Sequence, residues 1–177
     1  MSQEYGKTWS DISNNIPTSP VNVIREDSKN ENLLFVGTDN GAYVSFNMGN
    51  SWQAFSNGLP NVAVHDIVIQ SEENDLLLGT HGRSIYKTNI RNLQQMNPSK
   101  MNENITLFDN ESIRHSSRWG NSSAMWSKPY EPTTHIQFYT NASGKQTIKI
   151  LSDKNTELHS MSLNADKVFN VTEYDLT

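Results

Sequence analysis

Apolar and polar residues alternate along this chain in short bursts with a period of two, and almost nowhere with the period of a helix. Residues 21–26, 33–38, 42–45 and 51–55 form one run of four such bursts, with Asp39-Asn40-Gly41 between the second and third. Asn-Gly between alternating segments is a strong tight-hairpin signal, because the favoured two-residue turns need φ > 0 at their centre. Residues 64–69, 75–80 and 84–88 repeat three of these four bursts. Further on, 105–108, 135–140, 146–151, 157–162 and 168–176 read as five more strands, with turns at 141–144 and 153–155. Residues 92–104 have no periodicity and contain Pro98, which predicts a linker, and 114–130 are polar and loop-like, with Trp119 and Trp126 as isolated anchors. The expected fold class is all-β.

The first half repeats itself. Ser2-Gln3-Glu4-Tyr5-Gly6-Lys7-Thr8-Trp9 and Ser45-Phe46-Asn47-Met48-Gly49-Asn50-Ser51-Trp52 share one octapeptide pattern: Ser, any, acid or amide, any, Gly, any, Ser/Thr, Trp. Trp9 and Trp52 are 43 positions apart, as are Val21 and Val64, and Ile16-Pro17 and Leu59-Pro60. Leu34-Phe35-Val36-Gly37-Thr38 returns as Leu76-Leu77-Leu78-Gly79-Thr80 at an offset of 42, after a one-residue deletion. A period in the low forties with four short strands per unit is the length of a β-propeller blade. Each octapeptide position has a physical reason. The acid or amide (Glu4, Asn47) can accept hydrogen bonds from N–H groups of its own turn, and Gly6 and Gly49 supply φ > 0. The hydroxyls of Thr8 and Ser51 can tie the far side of the turn, and Trp9 and Trp52 are expected to bury their rings between sheets. The predicted role of these residues is structural. Residues 8–12 then read as the outer strand of one blade, 21–55 as a complete blade, and 64–88 as three strands of a third unit.

Composition narrows the function classes. The apolar fraction is 34%, which suits sheets with one wet face better than a helical bundle. The net charge is −5 and Lys and Arg form no stripe, so nucleic acid and anionic membranes are poor partners. Cysteine is absent, which removes disulfides, cysteine-type zinc sites and thiol catalysis. No apolar run approaches the ~18 residues of a membrane span, and the polar residues 1–6 do not read as a secretory signal peptide. Asn104, Asn121, Asn141 and Asn170 each head an Asn-x-Ser/Thr triplet, a frequency that chance explains in so Asn-rich a chain.

The two octapeptides, Gly37-Thr38-Asp39-Asn40-Gly41, Leu59-Pro60 with Val64-His65-Asp66, and Gly79-Thr80-His81-Gly82-Arg83-Ser84-Ile85-Tyr86 resemble the last blades of sortilin-like propellers. These carry the Asp-box (BNR) repeats also found in sialidases. The chain is most similar to large bacterial proteins of this type, often labelled glycosyl hydrolase or sortilin-domain proteins. The likeness is specific over 1–95 and looser over 105–177. It implies an incomplete Asp-box propeller over 1–91, a linker over 92–104, and a partial immunoglobulin-like β-sandwich over 105–177, of whose usual seven strands five are readable. It also implies a C-terminal fragment of a secreted parent, extracellular or periplasmic. Its partners would be the rest of that propeller and a protein, peptide or glycan ligand. A single whole blade leaves open sheet edges, so self-association by edge pairing is expected.

The label glycosyl hydrolase directs attention to carboxylates. Glu26, Asp27, Asp39, Asp66, Glu72, Glu73 and Asp75 are the candidates, most of them in turns. Asp66, beside His65 on an inner strand, is the best placed for catalysis, but no partner acid follows from spacing. Sialidase chemistry needs an arginine cluster, and only Arg25, Arg83 and Arg91 lie in or beside the blades. His81 and Arg83 are candidate binding residues. The ordinary role for His81 is a hydrogen bond to backbone in a tight turn, and for Arg83 the anchoring of that turn or a pair with an acid. The histidines have no metal-ligand spacing, so neither a metal nor a cofactor is expected. The leading expectation is a non-catalytic binding or scaffold module. The alternative is a fragment of a glycoside hydrolase whose active site lies mostly in other blades.

Overall fold

A computed structural model of the chain describes residues 1–110, 112–122, 125–126 and 128–176. The described residues are nearly all strand and turn, in four antiparallel sheets distributed over two compact units, Met1–Met101 and Asn102–Thr177. The all-β class expected from the alternation is what the chain forms.

In the first unit, β1 (Val21–Glu26), β2 (Leu34–Thr38), β3 (Gly41–Ser45) and β4 (Gln53–Ala54) make a four-stranded sheet in chain order. The alternating segments sit within a residue or two of the predicted limits, except that β4 is only two residues long. Next come β5 (Val64–Gln70), β6 (Asp75–Thr80) and β7 (Ile85–Asn89), three strands in the order β5-β6-β7. The two sheets pack closely where β2 meets β5. A Cβ on Gly37 of β2 would lie 2.7 Å from the Val64 carbonyl oxygen and 2.7 Å from Val23 Cγ1, so only glycine lets β5 approach this closely. Leu34, Val36 and Trp52 form a buried cluster, with Ile12, Ile16 and Tyr43 packed against it.

Two readings of the first unit are corrected. Residues 8–12 form no strand: Ser10 is joined to Met1, its N–H donating to Met1 O at 2.8 Å and the Met1 ammonium donating to Ser10 O at 2.6 Å, and the segment pairs with no strand among the described residues. Residues 92–101, read as linker, belong to the compact first unit. A short helix, α1 (Arg91–Gln94), carries Leu93 into the interior beside Ile90 and Met96. Asn30 Nδ2 donates to Gln94 O (3.0 Å) and Met96 O (2.7 Å), and Gln94 Nε2 donates to the buried Asp27 carboxylate (2.8 Å). Asp27, one of the turn acids, is thus a structural tie. Its other oxygen accepts from the N–H groups of Lys29 and Asn30, both at 2.9 Å.

The second unit contains β8 (Ile105–Leu107), β9 (Thr133–Thr140), β10 (Gly144–Leu151), β11 (Glu157–Ala165) and β12 (Phe169–Asp175). Strands β12-β9-β8 make one sheet and β10-β11 another. The pairs Phe169↔Tyr139 and Gly144↔Ala165 lie next to one another along the chain, so the two ladders are halves of one long hairpin with its tip at 152–156. That hairpin is doubled over. His159 of β11 lies against Tyr174 of β12, ring centroids 5.4 Å apart, where an extended run of fifteen residues would separate them by about 50 Å. Thr140 pins the corner, its hydroxyl donating to Asp166 O at 2.7 Å and its N–H to Val168 O at 3.2 Å. Phe108 stacks on Phe169 (5.1 Å), which meets Tyr139 edge-on (5.6 Å). Trp126 is no anchor, being 89% exposed. In the Asn-x-Ser triplet at 121–123, Ser123 lies outside the described residues.

Candidate functional site

Both octapeptides fold into the same clasp. In the second, Ser45 Oγ accepts the N–H of Gly49 (2.8 Å) and of Asn47 (3.3 Å) and donates to Asn47 Oδ1 (3.0 Å). Asn47 Oδ1 also accepts the Ser51 N–H (2.9 Å), while Asn47 Nδ2 donates to Ser51 Oγ (2.9 Å). In the first, Ser2 Oγ accepts the N–H of Gly6 (2.7 Å) and Glu4 (3.3 Å), and Thr8 Oγ1 donates to Glu4 Oε2 (3.0 Å). Sequence reasoning placed the acid or amide at the centre of the turn. The serine that opens each octapeptide closes the turn just as much, and its i+2 and i+4 acceptor geometry was the available signal. The Ser2 and Ser45 hydroxyls and the Asn47 amide are thus committed to holding their own turns.

The catalytic candidate Asp66 is also engaged. It follows a bulge in β5, where the register steps from Val64↔Thr80 to Asp66↔Gly79. Its Oδ1 accepts the Ile67 N–H at 2.9 Å and meets Arg25 Nη2 at 3.3 Å, with both side chains half exposed or more. Arg25 further donates through Nε to Ile67 O (2.8 Å) and through Nη1 to Ile24 O (3.1 Å). Arg25 therefore ties the first sheet to the second, and its neighbour is a carboxylate already paired with a cation. The other acids have structural or solvated settings: Asp75 pairs with Lys87 (2.5 Å) and Asp39 accepts from Asn22 Nδ2 (2.9 Å), while Glu26, Glu72 and Glu73 are exposed.

The bulge itself is where the two repeats become informative. In the first sheet the register steps from Val21↔Thr38 to Val23↔Gly37, leaving Asn22 as the unpaired residue. His65 occupies the same position in the second sheet. Asn22 faces Asp39, the residue after Thr38, and the two are hydrogen-bonded. His65 faces His81, the residue after Thr80, with ring centroids 5.4 Å apart and planes at 51°. A β-bulge re-aims the side chain it carries, here toward the adjoining hairpin. The hairpins differ as well. Thr38 Oγ1 donates to Gly41 O (3.1 Å), and Thr80 Oγ1 donates to Ser84 O (2.5 Å) across a loop one residue longer, His81-Gly82-Arg83. Where the first hairpin has Gly41 at φ 130°, the second has Ser84 at φ 95°. A β-carbon at that angle is strained by about 1–3 kcal/mol, the kind of strain that gathers at functional sites.

The expected roles of His81 and Arg83 need correction. Only the backbone N–H of His81 is bonded, to Ala63 O at 2.9 Å; the imidazole has no hydrogen bond among the described residues. Arg83 is exposed and makes no ion pair among the described residues. The structure thus brings His65 and His81 together with Arg83 on the same hairpin, and does not join Asp66 to a second acid. Among the described residues no group of three or more His, Cys, Asp or Glu side chains is arranged to hold a metal ion. No helix of the described chain is long and apolar enough to cross a membrane. Comparison with protein-family models, with curated proteins and with solved structures finds no match for this chain.

Proposed function

We propose that the chain is a non-catalytic binding or scaffold module, its first unit the adjoining blades of an Asp-box propeller and its second an immunoglobulin-like companion. The observation that carries this reading is that the octapeptide side chains and Asp66, the best-placed catalytic candidate, are already engaged in hydrogen bonds and an ion pair within the fold. The octapeptide side chains close their own turns, and Asp66 is paired with Arg25 and the Ile67 N–H. A glycoside hydrolase needs two carboxyl groups about 5–10 Å apart with contrasting protonation, and a carboxylate already bound to arginine is a poor acid or nucleophile. The ligand surface in this reading is the end of the sheets that carries the two bulges and the hairpins at 39–41 and 81–84. It presents Asn22, Asp39, His65, His81 and Arg83, a polar set suited to a glycan or a peptide in the extracellular or periplasmic setting of the resembling proteins.

The test is binding of the full chain to arrayed glycans and peptides, followed by titration of the best ligand against H81A/R83A. The expected result is a loss of at least tenfold in affinity with an unchanged melting curve. Retention of affinity by that variant would remove the surface from consideration. Hydrolysis of an arrayed glycan by the chain, abolished in D66N, would overturn the non-catalytic reading.

A further inference from the structure

His65 and His81 come from different strands and carry no recognisable spacing, yet the fold sets their rings 5.4 Å apart. We propose that they form a two-imidazole site for a late first-row divalent ion of the zinc, copper and nickel class. The inference concerns the ion alone and holds whether or not the same surface takes the ligand proposed above.

Three observations converge on it. First, neither imidazole makes a hydrogen bond among the described residues, so the nitrogens of both rings are without a protein partner. Second, the equivalent pair in the first repeat, Asn22 and Asp39, satisfies itself with a direct hydrogen bond of 2.9 Å. The bulge and hairpin therefore bring two side chains together by construction, and in the second repeat both are metal-ligating in type. Centroids this far apart leave room for an ion between two ring nitrogens, each about 2.0–2.1 Å from it. Third, the hairpin that presents His81 has an extra residue and a strained Ser84 where the first repeat has an unstrained glycine.

The donor set decides the ion. Two neutral imidazoles favour zinc, copper or nickel, whereas calcium and magnesium demand oxygen ligands. With no third protein ligand grouped there among the described residues, the remaining coordination positions stay open to water or to an oxygen of a bound molecule. Such a site exchanges its ion readily.

The repeat supplies its own control. H65N/H81D writes the first repeat's chemistry into the second, so the sheet keeps a pair that the fold already accommodates. The experiment titrates the full, untagged chain with Zn²⁺ and with Ni²⁺ by calorimetry, alongside H65N/H81D, the single variant H65Q, and H115N/H135N/H159N. One ion per wild-type chain is expected, with binding weakened at least about tenfold in H65Q and H65N/H81D, and unchanged in the triple variant. Circular dichroism reports whether each variant is folded, and H65Q keeps the test open if H65N/H81D is not. Absence of saturable binding by the wild type would overturn the proposal. So would undiminished binding in H65Q, or its loss in the triple variant alone.

Discussion

Residues 2–9 and 45–52 adopt nearly the same backbone: Tyr5 and Met48 have φ of 53° and 56°, and Gly6 and Gly49 have φ of 84° and 82°. Both are clasped by the opening serine. Yet Trp52 is 4% exposed and Trp9 is 76% exposed. Trp52 has a sheet beneath it and a neighbour across: its indole N–H donates to Ile12 O (2.7 Å), and its backbone N–H and C=O are matched by the Asn15 side chain, both at 2.8 Å. Trp9 has neither. The turn is therefore a local object that forms wherever the pattern occurs, and its contribution to stability depends on what lies against it. A repeat copied in sequence is not copied in energy.

The largest effect that tests this contrast is at the tryptophans. Trp52→Ala removes a buried ring from the Leu34–Val36 cluster and should destabilise the first unit by about 3–5 kcal/mol in urea unfolding, whereas Trp9→Ala should stay within about 0.5 kcal/mol. Equal losses would mean that residues 2–9 are packed in solution. The glycines of the second strand give the next contrast. Gly37→Ala drives a methyl group against the Val64 backbone and should destabilise by roughly 1–3 kcal/mol. Gly79→Ala, at the matching place in the second sheet, meets nothing nearer than 3.6 Å and should be close to neutral.

Smaller effects sharpen the comparison at the clasps and hairpins. Ser45→Ala strips the acceptor from the buried Gly49 N–H and should destabilise by about 1–3 kcal/mol, while Ser2→Ala leaves groups that water can reach and should fall below about 0.5 kcal/mol. Ser84→Gly restores the first hairpin's residue at a positive φ and should raise stability by roughly 1 kcal/mol. A drop would show that Ser84 makes a compensating contact. The smallest effect is electrostatic. The Ser13 hydroxyl, then its backbone N–H, holds the exposed Asp11 carboxyl below the ordinary aspartate value. A depressed pKa stabilises the folded state above the unfolded pKa, and that stabilisation fades as pH falls through the folded value. Asp11 should titrate lower than a model aspartate in carboxyl NMR, and Ser13→Ala should move it back up.

Much of this molecule could be read along the chain. Asp39-Asn40-Gly41 announced its hairpin, alternation located the twelve strands of the described residues to within a few residues while adding one at 8–12 that does not form, and the octapeptide pattern foretold a self-bonded turn. These features rest on backbone preferences and hydrogen bonds that span two to five residues. The candidate site was legible only in part, since His65 and His81 stood out as polar residues near hairpins but not as a pair. Their meeting depends on a one-residue bulge in β5 and on the register of β6, and neither leaves a mark in the pattern of either residue's neighbours. The start of the segment 92–104 reads as linker because a four-residue helix has no periodicity to display, although Leu93 and Met96 are buried.

By itself, then, the sequence determined the all-β class, the hairpins and the two clasps, because each is decided by short-range bonding and turn chemistry. Tertiary structure alone decided that Trp52 is buried and Trp9 is not, that the long hairpin of the second unit doubles over, and that two histidines face each other. Those outcomes depend on contacts between residues as far apart as Ile12 and Trp52. No local pattern carries such contacts, because their energy exists only once the sheets have packed.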